Sequence, residues 1–243
     1  MKKLILIFYF ILSTSAFSAK LIIIPVSKNP ILAYENSSAK VNIVGFVGGG
    51  GIKKGAGQSK NPLARDRKKF KKAGMNYYVF TNPKKGKKIS LKYRKSKDHI
   101  KKISYLINYL KERNNLPIIL VGHSRGSVSV ISAAYALGKK NIKGIVLMGS
   151  MTAASSKVSS KYTIKSMLKK KLDVSVLIIH HKKDECLVTP YKPAKSVAEK
   201  YNFKLVTITG GGNSGRECGP LHSHGFEGTM PKVIKAIKSW SEE

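Results

Sequence analysis

Between Pro117 and Val130 the chain reads Pro-Ile-Ile-Leu-Val-Gly-His-Ser-Arg-Gly-Ser-Val-Ser-Val, and no other segment restricts its fold so strongly. Four apolar residues after a proline predict a short buried strand. The small residues and valines after Gly126 predict a helix that can lie close to a sheet. A G-x-S-x-G between such elements forces a turn so sharp that Ser124 sits strained, its hydroxyl exposed above the sheet. Glycine is needed at 122 and 126 because a Cβ there would meet the neighbouring strand or helix. Ser127, Ala133 and Ala134 keep the helix slim. A serine in this place could also simply cap the helix, so the rest of the chain must decide.

Elsewhere, apolar runs of strand length alternate with helical patterns. Strands are predicted at Lys20–Val26, Lys40–Val47, Asn76–Thr81, Lys143–Met148, Val174–His180 and Lys204–Thr209. Helices are predicted at Asn61–Lys72, Pro193–Lys200 and Gly228–Trp240. The clearest helix is Ser96–Arg113, where Ile100, Ile103, Leu106, Ile107 and Leu110 fall on one face. Uniformly apolar strands that alternate with helices imply a mostly parallel sheet covered on both faces. Residues 150–171, rich in Ser and Lys, form either a short lid or a surface loop. They are too few for a cap domain.

In this setting Gly122-His123-Ser124-Arg125-Gly126 resembles the nucleophile elbow of the α/β-hydrolases. His180-His181-x-x-Asp184-x-Cys186 and Cys218…His224-Gly225-Phe226 are similar to stretches of small exported bacterial α/β-hydrolases, most without an assigned substrate. The resemblance implies an α/β-hydrolase fold with little or no cap. It also implies a triad in the chain order Ser, acid, His, each on a loop at the carboxyl ends of strands.

That order is a sharp filter on six histidines and twelve acids. Asp173 begins its strand and so lies at the wrong edge of the sheet. Asp184 follows the end of the same strand and is the expected acid, with Glu185 as substitute. Its carboxylate would hold the histidine Nδ1–H and stabilise the imidazolium; a plain loop-capping aspartate is the alternative. His222 and His224 both follow the acid, and the residues alone leave the choice open. The family pattern, in which the histidine before Gly-Phe is catalytic, carries over to His224. His99 begins a helix, His123 is the variable elbow residue, and His180 and His181 precede the acid.

One oxyanion donor is expected from the backbone N–H of Arg125, the other from Gly49 or Gly50 in the glycine run after an early strand. A flexible turn is the competing reading, and the run lacks the G-x-x-x-x-G-K-[ST] of a phosphate loop. Asn61…Arg65 is similar to an Asn-x-x-x-Arg of related loops and is given no chemistry. Convergence of the triad would bring Cys186 and Cys218 together, and in an oxidising compartment a disulfide between them is the expectation. No metal site is expected, since these cysteines and His222 and His224 lack paired C-x2-C spacing. No cofactor is expected.

Lys2 and Lys3, the apolar run Leu4–Leu12 and a small polar stretch have the order of a secretory signal, with cleavage after Ser18 or, second, Ala16. Nine apolar residues are too few to cross a bilayer. The expectation is therefore a signal over residues 1–18 and one exported hydrolase domain over 19–243, periplasmic or secreted. The chain carries a net charge of +34; residues 1–18 hold two lysines and no acid, so their removal leaves +32. Lysine runs at 68–69, 84–85, 87–88 and 169–171 predict non-specific adhesion to anionic surfaces. No nucleic-acid module is recognisable. The expected reaction is hydrolysis of a small carboxylic ester, or a thioester or amide, through an acyl-enzyme, with the basic rim hinting at anionic substrates. A non-catalytic member of the fold that binds polyanions is the alternative.

Overall fold

The computed structural model describes residues 20–22, 29–52, 59–84, 86–168 and 171–243. The expected signal over 1–18 lies outside the described residues, as do parts of the first expected strand and of the lysine runs. Eight strands form one sheet: β1 (Lys20–Ile22), β2 (Ile31–Tyr34), β3 (Asn42–Phe46), β4 (Asn76–Val79), β5 (Ile118–His123), β6 (Gly144–Met148), β7 (Ser175–His181) and β8 (Lys204–Ile208). Their spatial order is β1-β2-β4-β3-β5-β6-β7-β8. The first two strands are antiparallel additions at one edge, and β4 through β8 run parallel. The chain has the α/β-hydrolase fold.

Successive strand residues point to opposite faces, so each strand feeds two cores. Ile118 and Leu120 of β5 pack in one layer with Ile103, Leu106, Ile107 and Leu110. Those four are the apolar stripe of α4 (Lys97–Asn114), which Ser96 caps through the His99 N–H. Ala133 and Ala134 of α5 (Gly126–Leu137) and Val197 of α7 (Tyr191–Tyr201) share that layer. Ile119 and Val121 face the other way, onto Leu63, Phe70 and the Val233, Ile234, Ile237 stripe of α8 (Met230–Ser241).

Three elements differ from expectation. The helix expected over 61–72 is two: α1 (Pro62–Arg65) and α2 (Arg67–Lys72), broken at Asp66, whose carboxylate takes the Arg65 Nε at 2.7 Å and the Lys69 Nζ at 2.6 Å. Strand β2 and α3 (Leu91–Arg94) were not anticipated; each is only four residues long, too short for a periodic signature. The described part of 150–171, in keeping with its length, is no cap domain. It holds a 3-10 turn (Ser160–Tyr162) and α6 (Ile164–Met167), pinned by buried Val158 and Ile164.

Candidate active site

The strand-to-helix turn after β5 is as tight as the sequence requires. Ser124 has φ 53°, a left-handed conformation rare for a side-chain-bearing residue, which costs on the order of 1–3 kcal/mol. Surrounding bonds hold it there. Its N–H donates to the Met148 carbonyl at 3.0 Å, and its own carbonyl accepts from the Ser127 N–H and Oγ. A Cβ on Gly126 would lie 2.0 Å from the Phe46 carbonyl oxygen, and one on Gly122 would lie 2.2 Å from Val130 Cγ2. Both glycines are demanded by close approach.

Ser124 opens into a cleft of about 500 Å³ whose walls include His224, Arg125, Gly49 and both cysteines. Behind it, His224 Nδ1 lies 3.0 Å from Asp184 Oδ2. Both side chains are almost wholly buried. Asp184 sits just beyond β7, while His224 lies in a 3-10 turn, Ser223–Gly225, between β8 and α8. Burial alone would raise the Asp184 pKa. Hydrogen bonds from His180 and His224 outweigh it and hold the carboxyl well below the usual carboxylate range. A permanently ionised acceptor therefore faces the imidazole.

Gly49 lines the cleft, and among the described residues neither its N–H nor that of Arg125 has a hydrogen-bond acceptor. Gly50 does not line it; its carbonyl takes the Asn82 Nδ2 and the Ile89 N–H. His222 is turned to Glu185, at 3.2 Å, so the substitute acid and the second late histidine pair with each other. Cys186 and Cys218 form a disulfide with Cα atoms 4.5 Å apart. The Cys186 N–H also donates to Asp184 Oδ1 at 3.1 Å, tying the crosslink directly to the acid. Among the described residues no cluster of three metal-ligating side chains occurs.

A family model described as serine hydrolase matches residues 88–220, more than half of the chain. The chain belongs to the serine hydrolase family. Solved structures share its fold at low identity. An α/β serine hydrolase homologue from Coxiella burnetii is 14% identical, with TM-score 0.60 over 90% of this chain and 95% of that one. An α/β serine hydrolase without a lid from Xanthomonas campestris is 13% identical, with TM-score 0.61 over 91% and 92%. An esterase from Pyrococcus furiosus is 13% identical, with TM-score 0.64 over 93% and 91%. Among curated proteins none matches the sequence significantly.

In this hydrolase several residues that hold the site carried no expected role. Thr189 Oγ1 lies 2.9 Å from Asp184 Oδ2 and 3.0 Å from His224 Nδ1, so its hydroxyl donates to the acid and accepts from the imidazole N–H. His180 Nε2–H donates to the Thr189 carbonyl at 2.7 Å and stands 3.4 Å from the same carboxylate oxygen. His123 is buried; Asn61 Nδ2 donates to its Nδ1 at 3.0 Å, leaving Nε2–H to donate to the His224 carbonyl at 2.9 Å. Arg65 reaches the same loop, with Nη1 on the Pro220 carbonyl at 2.8 Å and Nη2 on that of Gly225 at 3.3 Å. Arg65 thus clamps the His224 loop directly, and Asn61 acts on it through His123. The spacing was visible in the sequence; the partners, 62 residues away for Asn61 and 155 and 160 away for Arg65, were not.

Gly225 and Phe226 complete that loop. A Cβ on Gly225 would meet the Pro220 carbonyl oxygen at 2.1 Å. Phe226 is fully buried at φ 52°, its ring edge-on to His123 and His181.

Across the cleft, the glycine loop is held by Arg94, a guanidinium with 1% of its surface exposed. Its Nη2 donates to the carbonyls of Val47 (3.0 Å) and Gly49 (3.3 Å), its Nη1 to Ser129 Oγ (3.0 Å). Burial, with repulsion from Arg125, lowers it to about 9, so it stays charged at neutral pH.

Proposed function

We propose that this serine hydrolase cleaves carboxylic esters through a Ser124–His224–Asp184 triad. The observation that carries the reading is the buried Asp184–His224 hydrogen bond at the back of the cleft that the strained Ser124 also lines. Ser124 Oγ attacks the ester carbonyl while His224 Nε2 takes its proton. The Gly49 and Arg125 N–H groups stabilise the oxyanion. Collapse of the tetrahedral adduct breaks the bond to the alcohol oxygen, which receives the proton from His224. Water, deprotonated by the same imidazole, then attacks the acyl-enzyme, and the second adduct breaks its bond to Ser124 Oγ, which takes the proton back from His224 as the acid leaves. Asp184 stays ionised throughout and keeps Nδ1 protonated.

Export accords with this reading. The order of residues 1–18 reads as a cleavable signal, and the disulfide suits an oxidising compartment. No helix among the described residues is long and apolar enough to cross a membrane.

A fluorophosphonate probe tests the proposal. Covalent labelling of the purified chain, its loss in Ser124→Ala, and hydrolysis of 4-nitrophenyl butyrate are expected. Absence of both labelling and turnover in the folded wild type would overturn it.

A further inference from the structure

We infer that the substrate of this cleft is an ester carrying an anionic group a few atoms from the scissile carbonyl, received between Arg125 and Lys157. The inference rests on the hydrolase reading and names the substrate class for it. Two cations, Arg125 and Lys157, line the cleft with Ser124, and no carboxylate lines it. Among the described residues neither side chain has an acidic or hydrogen-bonding partner. Arg125 is half-buried, which reduces the screening of its charge by water. Behind the glycine loop stands Arg94, a third cation with no carboxylate partner among the described residues. All three bias the potential at the serine the same way; the ionised Asp184 acts against them from behind His224, and no carboxylate lines the cleft itself. In a chain with 46 basic and 12 acidic residues an unpaired cation is the rule; what singles out Arg125 and Lys157 is their place in the cleft wall beside the nucleophile, where they favour an anion supplied by the ligand.

Apolar surface supplies the rest of the fit. Val158, Leu187 and Val188 form one wall, and Leu187 is 77% exposed although it follows the disulfide-bonded Cys186. A few methylenes against that wall, followed by a carboxylate or phosphate, would satisfy both features. A wholly neutral chain would leave the two cations solvated and unused.

The test compares mono(4-nitrophenyl) glutarate with 4-nitrophenyl valerate, acyl chains of equal length that differ by a terminal carboxylate. A parallel arm places a phosphate on the alcohol side, as 4-acetoxyphenyl phosphate against phenyl acetate. In at least one arm the anionic ester is expected to show a kcat/KM about tenfold above its neutral partner, a preference that shrinks as salt rises. In Lys157→Gln and Arg125→Gln the preference ratio should fall by about threefold each, the rough worth of one partly solvated ion pair. Calorimetric binding of the same esters to Ser124→Ala gives the ratio without turnover. Ratios near one in both arms, in turnover and in binding, would overturn the inference while leaving esterase activity standing. A binding preference without any turnover or labelling would instead overturn the catalytic reading and keep the anion site.

Discussion

His123 Nε2–H donates to the backbone carbonyl of His224 across 2.9 Å, so the residue that leads into the serine turn also holds the loop of the proposed base. Asn61 fixes the tautomer that makes this possible. Burial pushes the His123 imidazole down to about 3, so the ring is neutral wherever the enzyme would work. The variable position of G-x-S-x-G is here a structural bridge between nucleophile and base.

Arg65→Ala should expose what that bridge and the guanidinium clamp do together. It removes donors to the Pro220 and Gly225 carbonyls but touches no substrate. Turnover of 4-nitrophenyl butyrate is expected to fall roughly ten- to a hundredfold in kcat, with KM little changed, as befits a misplaced base. Arg65→Lys should recover only part, because one ammonium cannot span both carbonyls. A kcat equal to wild type in Arg65→Ala would remove the clamp from the account.

Thr189→Val tests the hydroxyl inserted between acid and base. The substitution keeps shape and deletes one donor to Asp184 and one acceptor for the His224 N–H. The direct Asp184–His224 contact remains, so the expected loss in kcat is modest, about five- to thirtyfold, with about 1 kcal/mol of stability. Asp184→Asn should be far more severe, on the order of a thousandfold or more, since an amide can present the wrong atom to Nδ1. Equal losses in the two variants, measured by steady-state kinetics, would mean that the carboxylate is not the essential partner.

Much of this site was legible because its chemistry is bound to a local shape. The elbow is written in five consecutive residues and needs two glycines for reasons a sequence can state. Asp184 follows from the end of an apolar run, but His224 over His222 required a family pattern; the structure gives the physical difference, since His222 faces Glu185. Thr189, His180, Asn61, Arg65 and Arg94 act through contacts made across the fold, and no periodicity signals such a pairing. The short β2 and α3 were equally silent, their order coming from the sheet edge and from the buried Arg94 rather than from propensity.

Reduction of the disulfide should disturb chemistry and stability together. The bond joins residues 32 apart and anchors, through the Cys186 N–H, the carboxylate of Asp184. Cys218→Ser or reductant is expected to lower stability by roughly 2–4 kcal/mol and to slow kcat. Loss of stability with unchanged kcat would make the crosslink a staple only; unchanged values for both would deny it either role.

Acid should destabilise this protein well above the range in which carboxylates protonate. Burial holds His123 at about 3, and burial, aided by Arg94, holds His99 at about 3, against 6.5 for a free imidazole. Both values are lower in the folded than in the unfolded state, so the unfolded chain binds protons first as pH drops. Their contribution is therefore intact above pH 6.5 and drains away between 6.5 and about 3, at a slope of about 1.4 kcal/mol per pH unit for each ring. Asp184, also depressed, adds a loss of the same sign only below its ordinary value of 3.8. Urea melts from neutral pH down to about pH 4.5 should show this slope. His99→Leu, which swaps a ring packed edge-on against the stacked Phe46 and Phe80 for an apolar side chain, should roughly halve it. A stability that stays flat across that window would mean that these rings are already protonated, or freely hydrated, in the folded protein.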